Sequence, residues 1–121
     1  MKFTTTTYGN RTNILAIADH YVAFPVTVDS TDAGVTTDST TGKKTLAAGT
    51  VIGGGFLTSK TAKATTQNDA DAEGVLLYDV DVTYGDAAGA AVVHGFISKS
   101  KMPTTPDTTA IAALKGITFL A

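Results

Sequence analysis

The sequence predicts a mainly β fold with many turns, on three observations. Threonine occurs 23 times in 121 residues; it is β-branched, which favours strands, and its hydroxyl suits an exposed strand face. Twelve glycines, with short apolar stretches set between polar ones, supply the turns that such strands need. Only one segment, close to the C-terminus, carries the start and stop signals of a helix.

Residues 1–13 form a polar arm with two aromatic anchors, Phe3 and Tyr8, around the consecutive threonines Thr4, Thr5, Thr6 and Thr7. Such a stretch buries too little apolar area to order itself, so it is expected to be extended and to order only against a partner. Ile14 to Ala18 is apolar with weak pattern. In "HYVAFPVTV", Val22, Phe24, Val26 and Val28 alternate with Tyr21, Ala23, Pro25 and Thr27, the period of a half-buried strand. Pro25 has no N–H to give to a ladder, which puts it at an edge or a bulge.

Residues 29–45 are polar and read as a long loop or a loose hairpin. Two short strands are expected, near Leu46 and over Thr50 to Ile52, then a flexible passage Gly53–Gly55 and a second polar loop over 61–74. "VLLYDVDVTY" gives the strongest strand signal, with Tyr78, Val80, Val82 and Tyr84 on one face and Asp79, Asp81 and Thr83 on the other. After the turn "GDAAG", Ala91 to Ile97 returns antiparallel, with Val93, Gly95 and Ile97 on one face and Val92, His94 and Phe96 on the other. "TPDTTAIAALKG" is the helix: Pro106 suits its first turn, Asp107 complements its dipole, Ile111 and Leu114 point inward, and Gly116 suits its C-terminal cap. Ile117 to Leu120 closes the chain as a short strand.

The totals exclude several functions. A length of 121 residues fits one domain, 14–121, behind the arm. The net charge is −2, and the nine basic residues are scattered and include a single arginine. Nucleic-acid binding needs a clustered basic face, so no such partner is expected. The lack of cysteine excludes disulfides and thiolate metal sites. "MKFTTTTYGN" lacks the apolar run of a secretory signal, and Ile14 to Val28 is interrupted by Asp19, His20 and Pro25, too short to span a bilayer. A soluble protein made inside a cell, with no membrane partner, is expected. Many apolar residues are alanine, so the core is modest, and burial shared with identical neighbours would add to it.

The chemistry-bearing residues do not assemble into a reaction centre. "DADAEG" matches the first half of a calcium loop, with oxygens at Asp69, Asp71 and Glu73 and a glycine at the sixth position, but Val80 stands where the bidentate Glu is required. Asp79 and Asp81 share the polar face of a strand, where nothing splits their pKa values into acid and base. His94 could lie across from these acids or pack in the core, and His20 is distant in sequence; two histidines without a shared spacing do not make a zinc site. No nucleophile elbow or phosphate loop is present, since Gly53-Gly54-Gly55 lacks the Lys-Ser/Thr that would follow. Asn10-x-Thr12 is a glycan acceptor in form only. No catalytic residue, metal or cofactor is expected.

Taken in order, "FPVTV" (24–28), "KKTLAAGTVIGG" (43–54), "AEGVLLYDVDVTYGDAAGAAVVHGFISKSKMP" (72–103) and "AIAALKGITFL" (110–120) resemble the tailed-phage head decoration proteins related to the lambda capsid-stabilising protein. "GVLLYDVD" followed by "AAVVHG" is the strongest part. The resemblance implies a compact, mainly β subunit of the β-tulip type with one or two short helices. It also implies a homotrimer on the outer surface of the virion, made in the host cytoplasm. There it would cap local three-fold junctions of the expanded head and clamp the major capsid protein against internal DNA pressure. In the family the N-terminal arm adds a strand to the capsid, and here that role falls on Phe3, Thr4, Thr5, Thr6, Thr7 and Tyr8. The long 29–45 loop departs from the pattern.

Two other functions remain open on the residues alone. One is a carbohydrate- or host-surface-binding β-module displayed on the phage head, although the chain has no tryptophan to serve as a sugar platform. The other is a metal-dependent hydrolase using Asp79, Asp81 and His94, which would require those groups to converge and be partly buried.

Overall fold

A computed structural model gives the structure of residues 13–17 and 19–121. It is mainly β, as the sequence predicts, with 38% strand against 8% helix. The strands are β1 (Tyr21–Val28), β2 (Thr36–Thr37), β3 (Lys44–Leu46), β4 (Val51–Gly53), β5 (Thr65–Thr66), β6 (Ala72–Leu76), β7 (Val80–Asp81), β8 (Ala87–Ser98) and β9 (Ile117–Leu120); one helix, α1 (Thr108–Ala113), precedes the last strand. The larger sheet runs β1-β8-β6-β4-β5, with β9 pairing the C-terminal end of β8 in parallel. A smaller sheet, β2-β3-β7, is formed by the 29–45 segment and the chain after β6.

The central strands of the larger sheet are covered on both faces. Val51, Val75 and Val92 point into a core with Ile14, Met102 and Leu114, beneath α1 and the N-terminal segment. Their neighbours Ile52, Leu76 and Ala91 point the other way, into a core with Leu46, Val80 and Phe56 beneath the smaller sheet. A strand covered on both sides reads as an unbroken apolar run, as in "GVLL" and "AAVV".

This double burial corrects the strongest strand expectation. Val75, Leu76 and Leu77 are all buried, but β6 ends at Leu76. The chain then crosses to the smaller sheet, where Val80 pairs Leu46 and Asp81 pairs Thr45. Val80 and Val82 are buried, whereas Tyr78 and Tyr84 are exposed, so the four do not share a face. The antiparallel return is present, with Val75 opposite Val92 and Leu76 opposite Ala91. β8 starts at Ala87, earlier than expected, and its alternation is interrupted. Val22 pairs His94 while Ala23 pairs Val92, which leaves Val93 as an extra residue. Val92 and Ile97 are therefore both fully buried although five positions apart.

Elsewhere the expectations hold with adjustments. β1 has the expected bounds and lies at the sheet edge, where Pro25 costs no ladder bond. Val26 and Val28 are buried and Phe24 stacks on Phe56 with ring centroids 6.0 Å apart, while Val22, beside the register shift, is 53% exposed. The 29–45 segment takes the hairpin form, closed by Gly42 N–H donating to Asp38 O (2.8 Å). The glycine passage is a tight turn: Gly54 and Gly55 have positive φ, and a Cβ on Gly54 would sit 2.5 Å from Lys63 O. In α1, Asp107 is the N-cap, its carboxylate accepting from Thr109 N, and Pro106 lies just before it. Ala110 and Leu114 are the buried positions, with Ile111 half-buried. Leu114, not Gly116, is the C-cap; Gly116 instead allows close approach, since a Cβ there would lie 2.6 Å from Val93 O.

Candidate functional site

The edge where the N-terminal segment joins the larger sheet is built by two stretches of chain lying end to end against β8. Leu15 pairs antiparallel with Ile97; Ala16 N–H donates to Phe96 O (2.9 Å) and Ser98 N–H to Ile14 O (2.8 Å). Asn13 turns its side chain back to accept from Leu15 N–H (3.1 Å). Ile14 is fully buried and Leu15 nearly so. Ile14 to Ala16 is thus sewn to the sheet by main-chain bonds and held by two apolar side chains. Phe3 to Tyr8, on which capsid binding is expected, lie outside the described residues.

Tyr21 takes up the ladder opposite Gly95, one residue along β8 from Phe96. Ile17, Asp19 and His20 therefore lie on an excursion from the edge. Gly95 makes room for its return: its φ is +148°, and a Cβ there would meet Tyr21 Cβ at 3.1 Å and His20 O at 3.2 Å. Ile17, Tyr21 and Val22 are exposed around the same stretch (43%, 39% and 53%), an apolar margin beside the Leu15–Ile97 pairing. Farther along β1, Phe24, Val26, Phe56 and Ala62, with Lys60 at the rim, line an open groove of ≈ 390 Å³.

The excursion brings together two residues 74 positions apart in sequence. His20 Nε2 is 3.2 Å from His94 Nε2, with the rings edge-on at 71°. His20 also tilts against Phe96. The expectation that His94 faces Asp79 and Asp81 or packs in the core is corrected: it is exposed, and its partner is the other histidine. Sequence spacing carries no signal for this contact.

The acids are engaged one by one with backbone. Asp79 accepts from Ala48 N–H (2.7 Å), and Asp81 accepts from both the N–H and the hydroxyl of Thr83. Asp69 accepts from Asp71 N–H (2.8 Å), while Glu73 turns away to accept from Gly55 N–H and Leu57 N–H. The half calcium loop is therefore pulled apart, and among the described residues no three His, Asp or Glu side chains converge on a metal-sized site. Six of the ten aspartates (29, 32, 38, 69, 81 and 107) accept from the N–H two residues on, the Asx-turn pattern. The recurring Asp-x-Thr signals these turns in the sequence. The Thr31 and Thr83 hydroxyls, and after them the N–H groups of the same residues, lower the carboxyl pKa of Asp29 and Asp81, and the Thr40 and Thr109 N–H groups lower those of Asp38 and Asp107, because the donors favour the charged form. Asp86 is lowered furthest, to about 2, first by its hydrogen-bonded ion pair with Lys63 (2.6 Å) and then by Ser30 N–H.

Comparison with protein-family models, curated proteins and solved structures gives no match.

Proposed function

We propose that this protein is a tailed-phage head decoration protein. It binds as a homotrimer at local three-fold sites on the outside of the expanded head and holds neighbouring major capsid subunits together. The ordered stretches between Phe24 and Leu120 support this reading, as does a mainly β chain whose short α1 leads into β9.

The observation that carries the reading is the anchoring of the arm. Ile14 to Ala16 is bonded to β8 at the sheet margin, so an arm before it would start from a fixed point. An extended arm can add a strand to an exposed sheet edge through main-chain hydrogen bonds, which require no particular side chain and suit a run of threonines. Ordering costs roughly 1–2 kcal/mol per residue, so one arm binds weakly. Three arms on one trimer raise the effective concentration and make the attachment durable. Phe3 and Tyr8 are the expected anchors, since aromatic side chains dominate interface energetics.

The test adds the purified full chain to expanded heads of its own phage that lack it, and follows head disruption on heating. Heads that bind the protein and survive to higher temperature support the reading; heads that neither retain it nor gain heat resistance overturn it.

A further inference from the structure

The chain contains two histidines, and the fold brings both to one point on the surface. We propose that His20 and His94 form a two-imidazole chelate for a divalent late-transition-metal ion, with Zn²⁺ as the working probe. This goes beyond the decoration reading and does not depend on it.

Three features carry the inference. The two Nε2 atoms are 3.2 Å apart. Zn–N bonds of about 2.0–2.1 Å meeting near the tetrahedral angle set two imidazole nitrogens about 3.3 Å apart, so the side chains need little movement to close on an ion. The rings approach edge-on at 71°, and both present the same nitrogen to the gap. The backbones are held: His94 in β8 pairs Val22 of β1, its neighbour Gly95 pairs Ile117 of β9, and His20 is seated on Gly95, where any Cβ would crowd His20 O. Gly116 leaves space on the far side of His94, since even a Cβ there would stay 3.6 Å from Nδ1.

The chemistry selects the ion. With no metal, one Nε2–H donates to the other Nε2. Chelation needs both Nε2 lone pairs, so each ring then carries its hydrogen on Nδ1. Neutral imidazole suits zinc, copper and nickel, whereas magnesium and calcium require oxygen ligands. Both histidines are exposed, so the ion keeps positions open for water or for a side chain of another molecule.

The test titrates the full chain with Zn²⁺ while the imidazole resonances are followed by NMR, with Mg²⁺ as control. One Zn²⁺ per chain should shift both imidazoles together, and Mg²⁺ at the same concentration should shift neither. By calorimetry, His20→Gln and His94→Gln should each weaken Zn²⁺ binding at least tenfold. His20→Gln lies on the exposed excursion and should leave the melting temperature unchanged. Zn²⁺ that shifts only one imidazole or neither, or that binds the His20→Gln chain as tightly as the native one, overturns the proposal. The resonance criterion on the native chain does not depend on any variant folding.

Discussion

Leu15 lies directly across the ladder from Ile97, and the hydrogen bonds on either side of that pair fasten the N-terminal segment to the last residues of β8 before the chain leaves the sheet. This pairing makes residues 14–16 part of the folded unit.

Ile14 holds that attachment from below. It is fully buried, and its Cγ2 lies against Gly49, where a Cβ would approach to 3.0 Å. Ile14→Ala removes buried methyl groups and leaves a cavity, so unfolding in urea should show a loss of about 2–4 kcal/mol. Protection of Ala16 and Ser98 amides from hydrogen exchange should fall more than that of β4 amides.

Gly95 seats the return of the excursion. A side chain there must adopt φ of +148° and crowd Tyr21 and His20 at once. Gly95→Ala should cost about 1–3 kcal/mol through backbone strain alone, visible as a lower urea midpoint. It should also separate His20 from His94, so that the imidazole resonances of both residues move.

Acid should destabilise the fold through its turns. The folded-state values of Asp29, Asp38, Asp81, Asp86 and Asp107 lie below their unfolded ones. Their contribution is therefore complete above about pH 4 and is lost as pH falls through the folded values, toward about 2 for Asp86. The melting temperature should fall as pH drops below about 4. Asp86→Asn should flatten part of that fall. Because the Lys63–Asp86 pair is half exposed, the difference between this variant and the native chain should shrink in high salt.

The carboxylates of the hairpin are structural acceptors. Asp79→Asn and Asp81→Asn keep an oxygen that can accept from Ala48 N–H and Thr83 N–H respectively. Each variant should fold, with a melting temperature within a few degrees of the native chain and unchanged zinc binding. A large loss of bound metal in either would point to a carboxylate site that the geometry does not support.

Much of the fold is legible in the sequence where one physical signal acts alone. The alternation from Val22 to Val28 gives β1, Pro25 marks it as an edge, and Asp107 starts the helix. The signal fails where two layers compete for one strand. Val75, Leu76 and Leu77 read as the start of a longer alternating strand, but all three are buried, Val75 and Leu77 in one core and Leu76 in the other, and the chain changes sheets at the next residues. The acids are legible in retrospect, because Asp-x-Thr spells a turn before it spells a site. The His20–His94 contact is not legible, since it rests on an excursion after Ala16, an extra residue at Val93 and the cleared space at Gly95.

The most direct test of the decoration reading compares the full chain with residues 13–121, which keep Asn13 and the sewn segment, for co-sedimentation with expanded heads. The full chain should pellet with the heads as trimers, and the shortened chain should remain folded in the supernatant. Heads that fail to retain the full chain, or that retain both forms equally, would contradict an account in which the arm clamps the capsid.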